Sequence, residues 1–200
     1  MYKFIAGVVN TILGVNGSRA KVYGVENVPK EGGFVVACTH NGYIDILNLG
    51  TSMMPREIHF MAKKQLFEIK GLGWFITKLN AFPVDRENPG PSVIKIPRQL
   101  IKEGKIVGIF PSGTRSSENS ELKAGAITIA QLSKAQILPA AYIGPKDVKG
   151  VFKRQKGYLI YGKPFTVESG KEGREASVQF LEQELLRLTN ELKAKHPEVK

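Results

Sequence analysis

The chain holds a single cysteine, Cys38, in 200 residues. That excludes a disulfide framework and points to a reducing compartment. Cys38 lies inside an apolar run, where a thiol is ordinarily inert core rather than a nucleophile. Three histidines and this one cysteine show no metal-ligand spacing, so no metal is expected. No apolar run approaches the ~20 residues that a spanning helix needs. The first fifteen residues come nearest, and Asn10 and Thr11 interrupt them. With one lysine ahead of that stretch and no clear small-x-small site after it, no signal peptide is expected. Acidic residues are scarce: 18 Asp plus Glu against 29 Lys plus Arg leave a net charge of +11. Such a balance implies an anionic partner, whether anionic lipid, nucleic acid, or an acidic protein or substrate. There is no RNA-binding aromatic box, zinc-finger spacing or clear helix-turn-helix signal, so nucleic acid is not expected. A solvated basic face is the bland alternative.

What is present is the composition of one ordinary globular domain, 42% hydrophobic and 24% charged. Residues 1–15 carry apolar side chains at 5, 8, 9, 12 and 13, the one-face pattern of an amphipathic helix. Two readings stand side by side: a helix in the membrane interface, with Arg19 and Lys21 just beyond it, or a helix docked on the domain. Strands are expected at 21–25, 34–38, 58–62, 81–84, 105–110, 137–142 and 158–161. Helices are expected at about 43–53, 91–103, 122–135 and 172–195, the last with Leu181, Leu185, Leu188 and Leu192 on one face. Residues 65–80 read as helix broken at Gly71 and Gly73. Their bulky apolars suit burial first, and a membrane-facing or acyl-contacting surface second. His59 falls inside a strand pattern and reads as packed. The alternation of strands and helices predicts an α/β fold: a single domain with a largely parallel central sheet flanked by helices, plus an N-terminal amphipathic helix. We divide the chain at 1–19 for that helix and 20–200 for the main domain.

Ligand sites of such sheets lie beyond the carboxyl ends of the strands. His40 follows the apolar run 34–38, and Asp45 comes five residues later, one turn into the next helix. The carboxylate can reach back to one imidazole nitrogen, fix the tautomer and steady the imidazolium formed when the other nitrogen takes a proton. That is the base and orienter of a hydrolase triad without a nucleophile beside it, suited to a hydroxyl that arrives on the substrate. Taken alone the pattern is better read as a capping or satisfied polar histidine with an unrelated surface Asp45. Further strand ends carry Lys63-Lys64, Arg86, and Gly113-Thr114-Arg115 after Ser112. Gly113 permits close backbone approach, Thr114 offers a hydroxyl, and Arg115 offers a planar fork for phosphate oxygens. Either arginine alone reads at least as well as a partner of surface carboxylates. Their shared position at strand ends favours cations converging on one oriented base, which describes a phosphorylated substrate with a hydroxyl to activate.

Four stretches together resemble a known family. Thr39-His40-Asn41-Gly42-Tyr43-Ile44-Asp45, Ala81-Phe82-Pro83-Val84-Asp85-Arg86, Phe110-Pro111-Ser112-Gly113-Thr114-Arg115-Ser116 and Ile137-Leu138-Pro139-Ala140-Ala141-Tyr142 are similar to the four blocks of the glycerolipid acyltransferases of the PlsC type. They come in that family's order and spacing, across roughly residues 20–165. Two positions depart from its pattern: Ser112 stands where the family usually has glutamate, and Asn80 where it usually has glycine. The resemblance implies that His40, steadied by Asp45, deprotonates the sn-2 hydroxyl of lysophosphatidic acid, which attacks a thioester. Arg86, Arg115 and Lys63 (or Lys64) would hold the phosphate, with Gly113 and Thr114 beside it, and backbone N–H groups near Gly113 would face the oxyanion. It implies no cofactor, only acyl-CoA or acyl-acyl carrier protein as co-substrate, and an anionic membrane surface as partner at the cytoplasmic face. An acyltransferase using glycerol 3-phosphate or another lysophospholipid, and a non-catalytic basic membrane-binding protein, are the alternatives.

Overall fold

In the computed structural model, the described residues are all but 86, 87, 89, 112–115 and 200, with backbone alone over 116–122. In chain order the elements are α1 (Tyr2–Val15), β1 (Lys21–Tyr23), a 3-10 turn (Val25–Asn27), β2 (Phe34–Cys38), α2 (Ile44–Ser52), β3 (Ile58–Lys63), α3 (Gln65–Glu68) and α4 (Leu72–Lys78). There follow β4 (Phe82–Val84), α5 (Ser92–Lys102), β5 (Ile106–Ile109), α6 (Ser116–Ser133), β6 (Gln136–Ile143), α7 (Val148–Phe152), β7 (Tyr158–Tyr161), β8 (Phe165–Thr166) and α8 (Gly170–Lys195).

The strands form one sheet in the order β1-β7-β6-β2-β5-β3-β4, with β8 also against β6. β6 runs antiparallel to β7 and β8, and every other pair is parallel. This is the mostly parallel α/β sheet that the alternation of elements predicts. β2 lies at its centre, and all five of its residues are buried. Because side chains alternate across a strand, β2 feeds two cores. Val35 and Ala37 face Val107, Ile127, Ile137, Leu181 and Leu185, under α5, α6 and α8. Phe34, Val36 and Cys38 face Leu49 of α2 and Met53 just past it, together with Phe60, Tyr142 and Tyr161. A strand covered on both faces reads as an unbroken apolar run, which is why the sequence marks it so clearly.

Three elements escape the sequence pattern: the 3-10 turn, α7 and β8. α6 also starts at Ser116, ahead of the position that apolar periodicity gives, since the polar residues 116–121 carry no such period. Leu181, Leu185, Leu188 and Leu192 of α8 are buried, Leu181 and Leu192 completely, while Leu186 faces outward. His59 is half-buried, as its strand pattern predicts. Burial and then the charge of Lys105 hold its pKa below the usual imidazole value.

Gly108 of β5 stands in register with Phe60 of β3. A Cβ there would come within 2.6 Å of the Phe60 ring and 2.7 Å of Ile58. Overpacking of this kind costs about 1–3 kcal/mol. Gly108→Ala is therefore expected to lower the unfolding free energy by that amount, read as a lower urea midpoint, and an unchanged midpoint would show that the strands separate freely here.

Candidate active site

β2 delivers the chain to residues 39–43, and hydrogen bonds to the β6 strand hold that turn. The Thr39 N–H donates to the Ala140 carbonyl at 3.1 Å. Thr39 Oγ1 accepts from the Tyr142 N–H at 3.0 Å, and Asn41 Nδ2 donates to the Tyr142 carbonyl at 3.1 Å. The Tyr43 N–H donates to the Lys146 carbonyl at 2.8 Å. Gly42 fits because it lacks a side chain: a Cβ would lie 2.0 Å from that carbonyl oxygen.

Asp45 occupies the first turn of α2 and is fully buried. Its Oδ2 accepts from the N–H groups of Asn41 at 2.6 Å and Gly42 at 3.1 Å, and Oδ1 accepts from the Ile46 N–H at 2.7 Å. The positive end of the α2 dipole favours a carboxylate at the same place. His40 Nδ1 lies 3.2 Å from Oδ2. An acceptor ringed by donors requires Nδ1 to carry the hydrogen, which leaves Nε2 as the acceptor of the uncharged ring. The imidazole is 34% exposed. It rests against Phe110, with ring centroids 4.9 Å apart, and Phe110 stacks on Phe60 at 5.8 Å. Buried neighbours register the Asp45 charge. Burial first, then Asp45, raises the pKa of Tyr142 and pushes the Cys38 thiol well above its ordinary value. Cys38 is a protonated core thiol.

His40 forms part of the wall of an apolar cavity of about 290 Å³. The other walls come from Tyr2, Ala6 and Val9 of α1, Ile46 and Leu47 of α2, Leu66 of α3, Leu72, Phe75, Ile76 and Leu79 of α4, and Phe110. The apolars of 65–80 thus line a cavity as well as filling space. α1 is docked, through buried Tyr2, Ala6 and Leu13, while Phe4, Val8, Ile12 and Val15 stay exposed.

Lys63 ends β3, half-buried and in register with Val84 of β4. Lys64 makes an ion pair with Asp85 at 2.5 Å. Arg86, Gly113, Thr114 and Arg115 lie outside the described residues, as does Ser112. The strands leading to them, β4 and β5, run parallel to β2 and β3. The four strands β2, β3, β4 and β5 therefore end on the side of the sheet where His40 emerges. Among the described residues no cluster of His, Cys, Asp or Glu could hold a metal ion, and no helix is long and apolar enough to cross a membrane.

A protein-family model described as Acyltransferase matches residues 19–143, more than half of the chain. The chain belongs to the acyltransferase family. The matched span runs from just before β1 to the end of β6 and includes the whole His40 turn. The 1-acyl-sn-glycerol-3-phosphate acyltransferase of Bacillus subtilis (strain 168) is 52% identical over 197 residues, covering 96% of this chain and 98% of that one. The protein of the same name from Streptococcus pneumoniae is 32% identical over 205 residues, covering 100% of this chain and 77% of that one. The crystal structure of the 1-acyl-sn-glycerophosphate acyltransferase PlsC from Thermotoga maritima shares the fold, with a TM-score of 0.70 at 24% identity over 96% of this chain and 81% of that one.

Three residues of this acyltransferase site carry weight that the sequence pattern leaves unassigned. Thr39 and Asn41 bind the turn to β6, and Phe110 gives the imidazole an apolar wall. Phe110 was findable, as the last apolar residue before Pro111 at a strand end. The partners of Thr39 and Asn41 lie about a hundred residues away, and no local signal reveals them.

Proposed function

We propose that this enzyme moves a fatty acyl chain from a thioester donor to the sn-2 hydroxyl of 1-acylglycerol 3-phosphate, giving phosphatidic acid and a free thiol. One observation carries the reading: a histidine hydrogen-bonded to a buried carboxylate stands in the wall of an apolar cavity. A base and a place for an acyl chain then meet at one point. His40 Nε2 takes the hydroxyl proton, and Asp45 holds the resulting imidazolium through Nδ1. The alkoxide attacks the thioester carbonyl, the tetrahedral intermediate expels thiolate, and the proton on His40 passes to that leaving group. The names of the relatives favour 1-acylglycerol 3-phosphate as acceptor. Arg86, Arg115 and Lys63, with Gly113 and Thr114, are the groups we assign to its phosphate, on the basis of block resemblance and their strand-end positions. No cofactor takes part; acyl-CoA or acyl-acyl carrier protein is a co-substrate. The outward apolar face of α1 supports work at the membrane surface without spanning it, and we assign that work to the cytoplasmic side.

The decisive assay is thiol release from an acyl thioester with lysophosphatidic acid, with glycerol 3-phosphate, and with no acceptor. Release that needs lysophosphatidic acid is expected. Release that ignores the acceptor, or runs faster with glycerol 3-phosphate, would overturn the assignment. The cavity gives a second expectation. Ala6 is buried in its α1 wall. Ala6→Phe should slow transfer of long acyl chains more than short ones, and equal slowing across a series of donor lengths would place the chain elsewhere.

A further inference from the structure

β6 and β7 are adjacent antiparallel strands, which two to five residues suffice to join. Here residues 144–157 intervene, and they carry α7. The segment is rigidly fastened. Asp147 caps α7 by accepting from the Gly150 N–H at 2.9 Å. Val151 is buried with Leu13 of α1 and Ile44 of α2. Ser18, just past α1, donates to the Gln155 carbonyl at 2.9 Å, and the Lys146 carbonyl accepts from Tyr43 in the His40 turn.

What this fastening holds outward is unusual for a surface loop. Phe152 is 75% exposed and Val148 61%. Lys146, Lys149, Lys153, Arg154 and Lys156 surround them, all exposed, against the single acid Asp147. α1, which shares that small buried cluster, also carries exposed apolars, with Phe4 and Val15 each at least 75% exposed. The buried cluster of Leu13, Ile44 and Val151 packs α1 and α7 together, and cations flank the exposed apolars of α7. Exposed aromatic and aliphatic groups next to unopposed lysines suit an anionic bilayer, where apolar side chains enter the acyl boundary and ammonium groups meet phosphates.

We propose that the β6–β7 connection is a second membrane-inserting element beside α1, with Phe152 and Val148 as its wedge and the five cations as its headgroup contacts. It rests on the reading above that the acceptor is a membrane lipid. Through Lys146 and Tyr43 it seats the His40 turn directly on the bilayer. The test is sedimentation of the full chain with vesicles of 30% phosphatidylglycerol in phosphatidylcholine. It compares wild type, Phe152→Ala and the double variant Lys149→Ala/Lys153→Ala. Each near-surface cation contributes about 1 kcal/mol, so the double variant should bind about thirtyfold more weakly. Phe152→Ala should bind roughly tenfold more weakly from lost apolar burial. Both variants should keep wild-type turnover on a short-chain, monomeric lysophosphatidic acid, and both should lose turnover on acceptor held in vesicles. Unchanged vesicle binding in the two variants overturns the proposal. So does a loss confined to donors on the acidic carrier protein, which would make this a protein-docking surface. Should the wild type acylate no lysophosphatidic acid at all, the acceptor assignment fails, and the sedimentation still decides the role of the loop.

Discussion

His40→Ala is expected to lower kcat by at least ~10³-fold, toward the upper end of what a positioned base contributes. The variant removes the group that takes the hydroxyl proton and whose imidazolium Asp45 steadies through Nδ1. Its structural cost should be small. The ring is one-third exposed and its chief apolar contact is Phe110, an aromatic pair worth ~1 kcal/mol. Asp45 keeps its three backbone donors. The expected result is a near-normal melting temperature with transfer close to background. Turnover within a few-fold of wild type would remove His40 from the mechanism.

Asp45 separates structure from chemistry. Asp45→Ala leaves the N–H groups of Asn41, Gly42 and Ile46 without their acceptor in a fully buried site. Each orphaned donor costs about 1–3 kcal/mol, so a loss of several kcal/mol is expected. For a chain of this length each kcal/mol lowers the melting temperature by ~2–4 °C. Asp45→Asn keeps one oxygen for the backbone and should melt much closer to wild type. Its amide carries no charge to hold an imidazolium, and its single oxygen must serve either the Asn41 and Gly42 N–H groups or the Ile46 N–H. A fall in kcat on the order of 10³–10⁴ is expected, as when a buried aspartate behind a catalytic histidine is changed to its amide. If Asp45→Asn retains normal kcat across pH 6–9, the carboxylate only shapes the turn.

Much of this was readable beforehand, for physical reasons. Strands covered on both faces must be apolar throughout, so Phe34–Cys38 and 106–109 announced themselves. The His40–Asp45 contact spans a single turn, and its geometry follows from helix pitch. Helix α8 declared its buried face through leucines at helical spacing. Long-range pairing was not legible: nothing local tells that β7 inserts between β1 and β6, or that β8 is a strand at all. Its two residues, Phe165 and Thr166, are held only by pairing with Ile137 and Gln136. α7 was invisible for a different reason. Five residues with a single buried aliphatic side chain, Val151, and a glycine among lysines carry no period. The role of 65–80 stayed open because side chains that fill a core and side chains that line an acyl cavity have the same composition.

Helix α1 is gripped on one side by the cavity it walls and bare of protein on the other. The same fourteen residues thus turn Phe4 and Val15 outward and hold Tyr2 and Ala6 against the space offered to a hydrocarbon tail.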